Sequence, residues 1–173
     1  ELLARVKNIL RIKAAEKELQ TLELLHQNLL NGNEKYKAKQ VNVQVHSAKA
    51  WIEFAKGNKK EALVVMKKAA HLENLTTKHP VTPGEVLPAD ELLGDMLLAL
   101  NQPKEALEAY EVNLKGHPNR FNGIYGAAVA AKESGEQEKA LSYYKLLVKL
   151  SSNSNSDRKE LKEAKDFINN NLT

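Results

Sequence analysis

LPADELLGDMLLALNQPKEALEAYEVNLKGHPNR, residues 87–120, runs directly into FNGIYGAAVAAKESGEQEKALSYYKLLVKLSSNS, residues 121–154. Laid one over the other, these stretches share a phase. Small residues recur at Gly94 and Ala128, alanines at Ala106 and Ala140, and tyrosines at Tyr110 and Tyr144. Each pair is 34 residues apart (128 − 94, 140 − 106, 144 − 110). A fixed period of this length marks a repeat architecture, and it is read before any local assignment.

Each unit reads as two short helices and a tight turn. Leu92, Leu93, Met96, Leu97 and Leu100 follow the helical period, which stops at Asn101 before Pro103. Pro103 suits the first turn of a second helix, where its missing N–H is not needed. That helix turns Ala106, Leu107, Tyr110 and Leu114 inward and ends at Gly116, His117 and Pro118. In the second unit Ser134 and Gly135 supply the turn. So short a connection makes the two helices antiparallel.

Gly94, Ala106, Tyr110 and Pro118, with Ala128, Gly135, Ala140 and Tyr144 one period later, resemble the tetratricopeptide repeat. The small side chains have a physical reason: Gly94 or Ala128 lets a partner approach closely, and a bulkier residue would overpack the crossing. The fold class expected is all-α, a tetratricopeptide-like helical-hairpin solenoid of about three repeats with a C-terminal capping helix.

The rest of the chain is divided on the same basis. Gly57, Ala62, Met66 and Ala69 keep the spacing of Gly135, Ala140, Tyr144 and Leu147, so residues 34–73 form a degenerate repeat with a second helix from about Lys59 to Glu73. In its first helix, strict register would bury Lys49 and Glu53, whereas the visible apolar ladder is Val41, Val45, Ala48, Ile52 and Ala55. A rotated helix or a turn of different length is expected. Val41, Val43 and Val45 alternate as a strand would, but an isolated strand has no pairing partner. Residues 1–33 hold a helix marked by Leu19, Leu22, Leu25 and Leu29 and ending at Asn31 and Gly32. Residues 1–12 either belong to it or form a separate helix. Residues 157–170 form the capping helix, with Asp157 at its N-cap and Leu161, Ala164, Phe167 and Ile168 on its apolar face. Residues 74–86, NLTTKHPVTPGEV, are an inserted loop, since two prolines and a glycine bar a helix. They explain why Ala62 and Ala106 are 44 apart (106 − 62). TTKHPVTPGEVLPADELLGDML and NRFNGIYGAA also look like the C-terminal part of longer, uncharacterised bacterial tetratricopeptide proteins. The chain opens at Glu1, which is read as a piece of a longer protein.

Composition narrows the chemistry. The 173 residues contain no cysteine, which excludes disulfides and thiolate sites. No apolar run approaches the roughly 20 residues of a membrane helix. The reading is of a soluble chain with any targeting segment upstream and no compartment assigned. Net charge is +4, unevenly spread. Residues 1–86 carry 15 Lys/Arg against 9 Asp/Glu, while residues 87–120 carry 3 against 6, that is +6 against −3. The lysines alternate with carboxylates and no arginine-aromatic run accompanies them, so nucleic acid is a poor partner. His26, His46, His71, His79 and His117 show no metal-ligand spacing. No phosphate loop or nucleophile turn is present. Glu91 and Asp95 lie four apart, as solvated helix residues do routinely. Neither cofactor nor metal nor catalytic residue is expected.

Partner binding is what the resemblance implies. In that family the first helices face a concave groove that takes extended peptides or partner helices. With Leu92, Leu93, Met96, Leu97, Ile124, Ala127, Ala128 and Ala131 turned to the packing face, Glu91, Asp95, Leu98, Asn122, Tyr125, Val129 and Lys132 face the groove. Trp51 and Phe54 are further candidates. The family's chaperone-tail binders share a basic, asparagine-rich groove that grips a terminal carboxylate. Glu91 and Asp95 depart from that pattern, so a segment with apolar anchors and a lysine or arginine is expected instead of an acidic tail. Homo-oligomerisation through Leu2, Leu3 and Val6 is the alternative.

Overall fold

The structure is a computed structural model that describes residues 2–76 and 87–171. Its described residues form helices: α1 (Leu2–Asn31), α2 (Lys35–Lys56), α3 (Lys59–Asn74), α4 (Ala89–Ala99), α5 (Pro103–Gly116), α6 (Phe121–Glu133), α7 (Gln137–Leu150) and α8 (Lys159–Asn170). They divide into two compact units, Glu1–Leu92 and Leu93–Thr173.

The turns that close the hairpins are copies of one another. Gly57, Asn101 and Gly135 have φ of 93°, 59° and 85°, the left-handed conformation that stops a helix. At each, the next backbone N–H reaches back five residues: Asn58 to Glu53, Gln102 to Leu97 and Glu136 to Ala131, all at 2.9 Å. The α1–α2 turn uses the same bond from Glu34 to Leu29, with Asn33 rather than Gly32 in the left-handed region. Asn101 and Gly135 are again 34 apart (135 − 101).

In the first unit α1 is one helix of 30 residues, so residues 2–12 continue it. The following helix, α2, packs on both α1 and α3. That position explains its pattern. Val45 and Ile52 are buried as expected and Val41 and Ala48 half-buried, but Ala55 is exposed, while Val43, Ser47 and Ala50 are buried on the opposite side. A helix covered on two faces is apolar on two faces, so Val41, Val43 and Val45 alternate without being a strand. Lys49 stays exposed. Glu53 stays at the surface and accepts hydrogen bonds from Asn58 and Lys56, whose proton donation holds its carboxyl below the usual range.

The expected loop at 74–86 lies mostly outside the described residues. Its two stems are described. Asn74 Nδ2 donates to Asp90 Oδ2 at 2.9 Å, and the Ala89 backbone N–H donates to Glu73 Oε2 at 2.5 Å. A carboxylate on the first backbone N–H of α4 is a favourable helix start.

The second unit is built around two tyrosines. Ala106, Tyr110, Ala140 and Tyr144 are fully buried, with Ile124, Ala127, Ala128, Ala130 and Ala131 from α6. The small residues have a more specific cause than helix approach alone. A Cβ added to Gly94 would lie 2.7 Å from the Tyr110 ring, and one added to Gly126 would lie 2.3 Å from it. Tyr110 therefore sits between glycines of α4 and α6.

Helix α8 begins at Lys159, two residues later than expected. Arg158 occupies the cap position and Asp157 makes no cap bond. Leu161 and Ala164 are buried, with Phe167 and Ile168 half-buried. These fall in the same register: Leu93, Ala127 and Leu161 are all buried, as are Met96, Ala130 and Ala164, each one period of 34 apart. So α8 occupies the place of a first helix in a further repeat. The α6 positions Gly123, Ile124, Gly126, Ala128 and Ala131, all buried, become Asp157, Arg158, Glu160, Lys162 and Lys165. Those charges leave α8 no apolar face on which a second helix could pack.

Two measurements follow. In denaturant titrations Gly126→Ala should be destabilising by roughly 1 to 3 kcal/mol from overpacking, less about 1 kcal/mol recovered in helix propensity. Ala106→Leu and Ala140→Leu should cost a similar roughly 1 to 3 kcal/mol, while exposed Glu108→Ala should stay within about 0.5 kcal/mol of neutral. Equal rankings would mean the register is wrong. Removing residues 78–84 should preserve cooperative unfolding by circular dichroism, because the stems are already fastened and closure depends weakly on loop length.

Candidate functional site

The expected groove residues separate into three environments. Glu91 is 3% exposed, so it is a core residue and not a groove residue. Asp95 is exposed, and its Oδ1 accepts a 2.5 Å hydrogen bond from the Tyr110 hydroxyl. Leu98 and Val129 are half-buried. The remaining three, Asn122, Tyr125 and Lys132, meet residues of the chain's own C-terminal helix.

Three donors converge on the Glu163 carboxylate of α8. Tyr125 donates to Oε2 at 2.6 Å, Lys132 donates to Oε1 at 2.6 Å, and Tyr144 donates to Oε1 at 3.1 Å. At the start of α8, Arg158 Nη2 donates to Asn122 Oδ1 at 3.4 Å, and the guanidinium lies 4.0 Å from the centre of the Phe121 ring. Under these polar contacts the Tyr144 ring lies 4.8 Å from Phe167, tilted by 42°, and meets Tyr125 edge-on at 6.5 Å. The surface expected to stand open on α6 is thus occupied in cis, because α8 continues the repeat register across it.

The electrostatics follow from that convergence. Burial pushes the Glu163 carboxyl up, but the Lys132 and Tyr125 hydrogen bonds, the Lys132 charge and Tyr144 outweigh it and hold the group below its ordinary 4.5. Burial, followed by the adjacent Glu163 carboxylate, raises both Tyr125 and Tyr144, so these hydroxyls keep their protons and remain donors. A related cluster lies between α5 and α7: Lys139 and Tyr143 donate to Glu111 Oε1 at 3.0 and 3.2 Å. Burial and the Glu111 charge push Tyr143 up to about 12.

Glu163 was not among the expected site residues, although the period points to it. It stands 34 residues after Val129 and 68 after Asp95 (163 − 129, 163 − 95). Applying the repeat phase to the capping helix would have found it.

The first unit has a different concavity. An open groove of about 530 Å³ runs between α1 and α2, lined by Ala15, Leu19, Leu22, Ala48, Trp51 and Ala55. Trp51 meets Phe54 edge-on at 5.4 Å. Farther along α1, Val6, Ile9 and Leu10 are 43%, 52% and 60% exposed. The side chains of Leu2 and Leu3 lie outside the described residues. Among the described residues no cluster of three potential metal ligands occurs, and no helix is long and apolar enough to cross a membrane.

Helix pairs closed by one recurrent left-handed turn, with a tyrosine buried in α5 and again in α7 one period apart, define a tetratricopeptide-like helical repeat protein. Solved structures agree with this fold. The chain is similar to PcrH from Pseudomonas aeruginosa (TM-score 0.56, 13% identity, 74% of this chain and 89% of that one). It is also similar to MamA residues 41 to end from Desulfovibrio magneticus RS-1 (TM-score 0.54, 16% identity, 88% and 92%). A further MamA structure matches at TM-score 0.54 and 16% identity over 82% of this chain and 77% of that one. No family model and no curated protein matches the sequence.

Glu163 supplies a pH signature. Its depressed value means that its contribution to stability is present above the ordinary carboxylate pKa and is lost as pH falls through the depressed one. Wild type should therefore melt above Glu163→Gln at pH 7, and the gap should close as pH drops below 4.5. A gap independent of pH would show that ionised Glu163 does not hold α8.

Proposed function

We propose that this chain is a protein-interaction module, not an enzyme, whose second unit receives a partner segment along the first helices of its hairpins. Asp95, Leu98 and Val129 form the open part of that surface, with Asn122, Tyr125 and Lys132 as the part shared with α8. Glu91, being buried, is left out. The observation that carries the reading is an exposed carboxylate, Asp95, beside half-buried Leu98 on α4, with half-buried Val129 at the matching register position of α6. The partner expected is an extended or helical peptide with apolar anchors and a lysine or arginine opposite Asp95. The likeness to other tetratricopeptide-like helical repeats supports a scaffold role.

A second reading places the partner's apolar anchor in the α1–α2 groove, and the cavity beside Trp51 favours it. Trp51 is the chain's single tryptophan, so its emission reports that groove alone.

The test begins with affinity capture and identification of the partner, followed by titration of its binding segment. Leu98→Ala and Val129→Ala should each weaken binding by about tenfold, the scale of an interface anchor. Asp95→Asn, which keeps an acceptor for Tyr110, should weaken it more at low salt than at high salt. Should these variants stay folded and retain wild-type affinity while the Trp51 emission shifts on binding, the groove of the first unit is the site instead.

A further inference from the structure

We infer that the face beneath α8 is an exchangeable helix-docking site: it takes a helix of another protein that presents a carboxylate to Lys132, Tyr125 and Tyr144, and α8 is its built-in competitor. This rests on reading the second unit as an interaction surface, and it adds the partner's chemistry and its regulation.

Three observations carry it. First, the receptor is selective. An ammonium and two hydroxyls point at one position, within 2.6 to 3.1 Å of the carboxylate oxygens of Glu163. Lys132 can only donate, and both phenols, held protonated, can donate beside it, so a carboxylate is met by all three groups whereas a lysine is repelled by the Lys132 charge. Around that point Leu161, Ala164, Phe167 and Ile168 show the apolar pattern the occupant needs: positions −2, +1, +4 and +5 from the acidic residue.

Second, α8 is lightly held. Leu161 and Ala164 are its fully buried side chains, with Phe167 and Ile168 half-buried beside them, and a helix of 12 residues with so few fully buried apolar groups opens more readily than the helices of the core.

Third, the tether permits release. Residues 152–157 lie outside any helix and are exposed, and their backbone N–H groups bond locally, Ser152 to the Lys149 carbonyl, Ser154 to Ser151 and Ser156 to the Ser154 hydroxyl, while Arg158 at the end of the tether belongs with the docked contacts through Asn122 and Phe121. A tether this short holds α8 at an effective concentration on the order of millimolar. Such a competitor masks the site from weak helices and yields to a tighter one.

The probe is a capped, fluorescently labelled peptide of residues 157–171, titrated by anisotropy against the full chain. Glu163→Lys in the chain sets a cation against Lys132 and undocks α8, so the peptide should bind that chain at least about tenfold tighter than wild type. Adding Lys132→Glu to the Glu163→Lys chain should abolish the gain. A peptide carrying Glu163→Gln should bind about tenfold more weakly, as expected for loss of a charge-assisted hydrogen bond. If Glu163→Lys fails to fold by circular dichroism, a chain lengthened by Gly-Ser pairs after Ser154 keeps every docked contact and only dilutes α8. Peptide affinity should then rise with each added pair. Affinity that is indifferent to linker length, or absence of peptide binding to either chain, would make α8 a fixed cap and overturn the inference. A concentration-dependent dimer in sedimentation that is lost with Glu163→Gln would give the site to α8 of a second copy and likewise overturn its assignment to another protein. Neither result touches the proposed function, which is read from Asp95, Leu98 and Val129 with the captured partner.

Discussion

The ring of Tyr110 lies between glycines on two different helices, and the second unit depends on that wedge. Each glycine costs its helix about 1 kcal/mol in propensity relative to alanine. The return is a fully buried aromatic in contact with both α4 and α6, its hydroxyl delivered to Asp95. Because the ring touches both backbones, it fixes how far apart those helices stand. Tyr144 occupies the same position one period later, but Val129 stands where Asp95 would be. Its hydroxyl finds its acceptor on the following helix instead. One change of residue in the repeat thus turns a bond within a hairpin into a bond that recruits α8.

Charge then decides where stacking ends. Along α8 and the two residues before it, two positions of the repeat register remain apolar and carry the docking, while five others have become charged. A second helix laid over them would bury those charges without partners, at a cost far above what two apolar contacts offset. The same helix is therefore adhesive on one side and closed on the other. The resemblance to tetratricopeptide repeats implied a capping helix, and the register explains how a repeat sequence is converted into one.

Much of the architecture was readable from spacing because its causes are local. Gly57, Asn101 and Gly135 end helices through backbone conformation, and the alanines and tyrosines repeat because each must fit the same crossing. The first helix of the degenerate repeat was harder. Its apolar residues serve two neighbours at once, so Val43, Ser47 and Ala50 broke the single-stripe pattern. Of the proposed surface, the register positions of Asp95, Leu98 and Val129 follow from spacing. The burial of Glu91 was not legible, because a carboxylate reads as solvated until its surroundings are known. Nor was the engagement of Tyr125 and Lys132 by Glu163, since the repeat phase was applied to two units and stopped short of a third helix that obeys it.

Glu73 and Asn74 leave one further mark on the molecule. By holding Ala89 and Asp90 at hydrogen-bonding distance, they bring the last turn of one helix to the first turn of the next, whatever joins them covalently. The entropy of closing that gap is already met by the clamp, so the length of the joining segment weighs little on stability. Such a position is where a lineage of repeat proteins can gain or lose residues while its hairpins stay in phase. It is also where a fluorophore or an epitope could be grafted into this chain with the least disturbance to either stem.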